Sequence, residues 1–84
     1  MRVNELAAEI AALEAIGDLQ SEATGVTHDS RACQPGTVFV AIRGDKFDAH
    51  NFIPQAVAQG AVAVISEQPA QANAPAWIQV SNAR

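Results

Sequence analysis

Two short polar corners hold the residues of this chain that are suited to chemistry. The first is Asp29-Ser30-Arg31. The second is Arg43-Gly44-Asp45-Lys46, which follows the apolar run 37–42 and precedes Asp48-Ala49-His50-Asn51-Phe52. At the first corner the Ser30 hydroxyl or nearby amides can donate to a phosphate or a base. The plainer alternative is a turn in which Asp29 bonds the backbone two residues on. At the second corner Gly44 lets the backbone turn closely, and Lys46 offers a point charge to an anion. A solvated connection is the alternative there. Both corners are suited to recognition more than to bond-making. The chain has no Gly-x-x-x-x-Gly-Lys-Ser/Thr phosphate loop and no paired acid constellation.

Other reactive types are poorly placed. His28 and His50 lack Cys or carboxylate companions at ligand spacing, so no metal site is expected. Cys33 is the single cysteine, which precludes an internal disulfide. Arg31 nearby would favour a thiolate, but no base adjoins it in sequence, and a small residue in a turn is the preferred reading. Arg43-Gly44-Asp45 spells an adhesion tripeptide. In an acidic, cysteine-poor chain without a secretion signal it reads as coincidence.

Local signals then place these corners. Val3, Leu6, Ala7, Ile10 and Leu13 recur at helical spacing, predicting a helix over about 4–12 with Asn4 as N-cap and Glu5 favoured by the dipole. Gly17 and Asp18 close that segment, with Ile16 entering a short strand. Residues 23–28 read as a strand weakened by Gly25. Gln34-Pro35-Gly36 is a turn, and 37–42 is a strand covered on both faces. Asn51 caps the next helix, with Pro54 in its first turn and Gly60 just past its end. Residues 61–66 form a second buried strand, parallel to 37–42 through a right-handed crossover. Residues 69–76 are a low-complexity loop, and 77–80 a last strand.

The two corners meet only if strands 24–28 and 37–42 run parallel. The eight-residue connection 29–36 reaches at most ~26–29 Å, against about 17–20 Å for a strand of five or six residues. A parallel return is therefore feasible, though an antiparallel hairpin is the commoner outcome.

Eighty-four residues with a net charge of −4 make one small α/β domain, a mixed, mostly parallel sheet of four to five strands with two main helices. Nucleic-acid binding would need a basic face, which is missing. Glu5, Glu9 and Glu14 interrupt the only long apolar stretch near the start, excluding a membrane span or signal peptide there. The reading is cytoplasmic, with no membrane or nucleic-acid partner.

Taken together, Val26-Thr27-His28-Asp29-Ser30-Arg31, Pro35-Gly36-Thr37-Val38-Phe39-Val40-Ala41-Ile42-Arg43-Gly44, Asp48-Ala49-His50-Asn51-Phe52-Ile53, Gln55-Ala56-Val57, Gly60-Ala61-Val62-Ala63-Val64 and Val80-Ser81-Asn82-Ala83-Arg84 resemble the N-terminal domain of the Mur ligases. These are ATP-dependent enzymes that add amino acids to the peptidoglycan precursor. Leu13-Glu14-Ala15-Ile16-Gly17-Asp18 and the Asp-Ser-Arg form are most similar to the third ligase (MurE type). It joins meso-diaminopimelate or lysine to UDP-N-acetylmuramoyl-L-alanyl-D-glutamate. Phe47-Asp48-Ala49-His50 keeps open the fourth ligase (MurF type), which adds D-alanyl-D-alanine. Ala49 stands where the third ligase commonly has glycine.

The resemblance implies an anchor for the uridine end of a UDP-N-acetylmuramoyl-peptide, with contacts at His28, Asp29, Ser30, Asp45, Lys46 and Phe47. It favours the parallel arrangement. Ser30 would supply a side-chain hydrogen bond, Phe47 would cover the uracil, and Lys46 would meet the diphosphate. ATP and magnesium would act elsewhere in the whole ligase, through an acyl phosphate attacked by the incoming amine. The 84 residues alone would then be catalytically inactive and, by expectation, monomeric. A free-standing binding module without nucleotide affinity is the reading from another class.

Overall fold

Eight short segments build the sheet and its two covers: α1 (Val3–Glu9), β1 (Glu14–Gly17), β2 (Gly25–Thr27), a 3-10 turn (Ser30–Ala32), β3 (Thr37–Val40), α2 (Ile53–Ala58), β4 (Ala63–Ser66) and β5 (Ala76–Gln79). The structure is a computed structural model that describes residues 1–10, 12–41, 52–68 and 74–81, with the Ser30 side chain outside the description. The strands pair in the order β1-β5-β4-β3-β2. The four strands β2 to β5 are mutually parallel, and β1 is antiparallel to β5. The expected architecture is therefore present: five strands, mostly parallel, and two helices.

Alternation along the strands divides the core into two layers, because successive side chains point to opposite faces. Phe39, Val64 and Trp77 face α2, where Ile53 and Ala56 cover them together with Cys33. Val38, Ala63, Ile65 and Ile78 face α1, where Val3 and Ala7 close the other side. Burying residues such as Phe39, Ile53 and Ile78 contributes about 1.5–3 kcal/mol each.

The first helix begins earlier than its sequence suggests. Arg2, not Asn4, is the N-cap residue. Its amide donates to the Glu5 carboxylate at 3.0 Å. The next two amides, of Val3 and Asn4, donate to the Ser21 and Leu19 carbonyls at 3.0 and 2.9 Å. Backbone from the 19–21 loop thus satisfies donors that a capping side chain would otherwise serve.

The helix also ends earlier, at Glu9. Leu13 instead donates its amide to Gln79 at 2.8 Å and starts the approach to β1. Its side chain is 67% exposed and Ile10 is also exposed, so the apolar stripe of the sequence continues past the helix that uses it.

The second helix keeps its proline and glycine signals, but its N-cap residue is Phe52, not Asn51, and no side chain caps it. Pro54 occupies the first turn, and Gly60 follows the end with φ +108°.

The parallel return from β2 to β3 is short because the strands are short. Gly25 pairs with Thr37 and Thr27 with Phe39. The chain must therefore move back only two residues, roughly 7 Å, and one strand spacing sideways, about 4.8 Å. Residues 28–36 do this with the 3-10 turn included, on the same side of the sheet as α2, against which that turn packs.

Candidate functional site

Parallel strands bring their carboxyl ends to one edge, where ligands of open α/β sheets bind. Here that edge gathers His28, Asp29 and Ser30 after β2, Ala41 after β3, Glu67 and Gln68 after β4, and Val80 and Ser81 after β5. Ala41 donates its amide to Ile65 at 2.8 Å, and Val80 donates to Ser66 at 2.9 Å, so the ladder continues right to the rim. β3 delivers the chain to this edge beside the end of β2. The second corner, including Asp45, Lys46 and Phe47, lies outside the described residues, as do Gly44, His50 and Asn51.

The first corner is a tightly bonded turn. The Asp29 amide donates to Thr27 Oγ1 at 3.1 Å. Its carboxylate Oδ1 accepts the Arg31 amide at 2.9 Å and Arg31 Nε at 3.3 Å, while Oδ2 accepts Nη2 at 3.4 Å. Its carbonyl accepts the Ala32 amide at 3.0 Å. Hydrogen bonds from the Arg31 side chain and amide hold the Asp29 carboxyl below the ordinary carboxylate range, and the Arg31 guanidinium is correspondingly stabilised. His28 is exposed at the end of β2, and Ser30 opens the 3-10 turn.

Cys33, directly after the 3-10 turn, is a core residue 5% exposed, packed with Phe39, Ile53 and Ala56. Burial, with a smaller effect from Asp29, raises its thiol pKa. It works as a plug beneath the turn, and the neighbouring Arg31 does not activate it.

The sequence reading missed the segment after β4. Ser66 is fully buried, and its hydroxyl accepts the Gln68 amide at 3.0 Å. The Gln68 carbonyl accepts Trp77 Nε1 at 2.8 Å. This pins the third strand end to the core and gives the edge a firm floor. The available signal was a serine closing an apolar run just before Glu67-Gln68.

Among the described residues no group of three or more His, Cys, Asp and Glu side chains is placed to hold a metal ion. The one carboxylate at this corner is engaged by Arg31.

Residues 22–84 match the family described as Mur ligase family, catalytic domain. The chain belongs to the Mur ligase family. It is 48% identical over 88 residues to UDP-N-acetylmuramyl-tripeptide synthetase of Deinococcus radiodurans, covering 100% of this chain and 18% of that protein. It is 48% identical over 66 residues to UDP-N-acetylmuramoyl-L-alanyl-D-glutamate--2,6-diaminopimelate ligase of Solibacter usitatus, covering 77% of this chain and 13% of that one. Among solved structures, MurF from Acinetobacter baumannii superposes with a TM-score of 0.82 at 32% identity over 98% of this chain and 18% of its own. The chain thus spans less than a fifth of the length of these Mur ligases.

Proposed function

We propose that this domain anchors the uridine-nucleotide end of a UDP-N-acetylmuramoyl-peptide for a Mur ligase that adds a diamino acid, meso-diaminopimelate or lysine. The observation that carries this reading is the parallel pairing of β2 with β3. It directs the chain after Thr27 and the chain after Val40 to one edge, as a two-cornered nucleotide site requires. The name of the Solibacter usitatus relative supports the diamino acid.

In this reading the domain binds and orients and makes no bond. His28, Asp29 and Ser30 form one wall, and Asp45, Lys46 and Phe47 form the other. Lys46 meets the diphosphate as a cation and Phe47 covers the base. ATP and magnesium, which supply activation of the substrate carboxylate, bind in parts of the whole ligase beyond these 84 residues. The domain would precede those parts in the whole chain. Such a ligase would work in the cytoplasm; among the described residues no helix is long and apolar enough to cross a membrane.

A second reading is that the whole ligase adds D-alanyl-D-alanine. The 0.82 TM-score to MurF favours it. Amide formation by the whole ligase from a UDP-muramoyl dipeptide and a diamino acid, against a UDP-muramoyl tripeptide and D-alanyl-D-alanine, separates the two.

An NMR titration of the 84-residue domain with UDP tests the anchoring role. Saturable shifts confined to the amides of 28–31 and 43–48 are expected. Absence of shifts both in a folded sample of this domain and in the full-length ligase refutes nucleotide anchoring here and favours a binding module of another kind; shifts in the full-length ligase alone mean that the site needs the neighbouring domain.

A further inference from the structure

Asp29 has almost nothing left to offer a ligand. Its amide, its carbonyl and both carboxylate oxygens are engaged with Thr27, Ala32 and Arg31. A carboxylate has about four acceptor positions, and three N–H groups of Arg31 already point at this one. The arrangement closes on itself, because Arg31 donates to Asp29 from both its backbone and its side chain. Ser30 lies between the two. Fixing residues 29 and 31 leaves residue 30 little backbone freedom.

The inner side of the turn is held independently. Cys33 is seated in the core under α2, and the Thr27 hydroxyl receives the Asp29 amide. What the Asp29–Arg31 pair adds is control of the outer rim, the part that faces away from the core. Arg31 itself is 83% exposed in its side chain and Asp29 42%, so the pair is not needed to fill the interior. An exposed ion pair contributes little to global stability. Its consequence is therefore local.

We propose that Asp29 and Arg31 act as a positioning pair that presets the Ser30 turn for the nucleotide, and that Asp29 is not itself a nucleotide contact. This rests on the anchoring role proposed above. It divides the first corner into a contacting residue, Ser30, and two residues that act through it. It also assigns the arginine a role in binding without requiring it to touch the diphosphate.

Calorimetric UDP titration of the 84-residue chain and its Asp29→Ala, Asp29→Asn, Arg31→Ala and Arg31→Lys variants tests this. Arg31→Ala should weaken UDP binding by roughly two- to fivefold, the range of an exposed ion pair, with an unchanged melting temperature. Asp29→Ala should weaken it at least as much. Asp29→Asn should retain most of the affinity, because asparagine still accepts the Arg31 amide. Arg31→Lys should restore part of it. The double variant Asp29→Ala/Arg31→Ala should bind no worse than Asp29→Ala alone, since the two act as one unit.

A spectroscopic readout accompanies affinity. The Arg31 backbone amide, which donates to Asp29 Oδ1 at 2.9 Å, should shift markedly in the spectrum of Asp29→Ala and little in that of Asp29→Asn. Unchanged or tighter UDP binding by Arg31→Ala, with weakened binding by Asp29→Ala, would make Asp29 a direct contact and overturn the proposal. Additive losses in the double variant would overturn it too. Failure of the anchoring role is distinguishable, because then the wild type itself shows no UDP binding, and the positioning role falls with it.

Discussion

Replacing Gly60 by alanine should destabilise this domain far more than adding a methyl group at an open glycine such as Gly25. Gly60 sits just past α2 with φ +108°. An added Cβ would lie 2.7 Å from Pro35 Cα and 2.8 Å from Pro35 N. Both are backbone atoms, so no side-chain rotation relieves the contact. The Gly60 carbonyl also accepts the Gly36 amide at 3.1 Å, so a shift of either segment loosens the turn that precedes β3. A side chain held at such a φ costs of order 1–3 kcal/mol, and the backbone overlap adds to it, giving about 2–4 kcal/mol in all. Total stability for a domain of this size is about 4–12 kcal/mol, so the change removes a large share.

The assay is urea unfolding followed by fluorescence of Trp77, the only tryptophan, which is 2% exposed in the folded chain. With an m-value near 1–1.5 kcal/mol/M, the midpoint should fall by at least about 1.3 M. Gly25→Ala is the internal control. A Cβ there meets nothing within 4 Å, and the midpoint should move by no more than about 0.5 M. If Gly60→Ala unfolds at the wild-type midpoint, the left-handed turn packed on Pro35 is wrong. If both variants fall equally, the loss reflects glycine removal in general and not this contact.

Further outcomes follow from individual groups. Ser30→Ala should weaken UDP binding by about 0.5–1.5 kcal/mol in calorimetry with an unchanged melting temperature; unchanged affinity would leave Ser30 a turn residue only. Cys33, buried and with its thiol pKa raised, should react with iodoacetamide at mildly alkaline pH roughly 100-fold or more slower in the folded chain than in urea. Equal rates would contradict its burial. The Met1 ammonium bonds Glu22 Oε1 at 2.8 Å, which raises the amine's pKa and lowers that of Glu22. The amine's contribution is present below the usual α-amino value and is lost as pH rises through the raised one. That of Glu22 is present above the ordinary carboxylate value and is lost as pH falls through the lowered one. Acetylating the amine should therefore lower the urea midpoint near neutral pH, and that difference should vanish in strong alkali. A difference independent of pH would exclude the pair.

The legible parts of this fold were those with local causes. Pro54 in a first turn and Gly60 after a last one bracket α2, and each acts through its own backbone preference. The unbroken apolar runs at β3 and β4 announced burial on both faces, and both strands are largely buried. The α1 boundaries were less legible, because the decisive partners are distant: Ser21 and Leu19 at its start, and Gln79 drawing Leu13 away at its end. Periodicity carries no information about such partners. Ile10 and Leu13 kept the helical spacing while the chain itself left the helix.

The first corner shows the same division. That Asp29 would bond the amide two residues on follows from the reach of an aspartate side chain, and residues 29–31 alone determine it. That both carboxylate oxygens are also held by the Arg31 side chain required coordinates. So did the burial of Cys33, whose neighbours come from β3 and α2. Membership of the Mur ligase family was legible from the order of short motifs. The direction of β3 beside β2 was not fixed by the nine residues between them, since a hairpin and a parallel return are both within their reach. The tertiary structure decided it: β4 and β5 extend the same parallel ladder, and the 3-10 turn packs on α2 across one face. A strand direction depends on every neighbour in the sheet, whereas a turn, a cap or a helix end depends on a handful of adjacent residues.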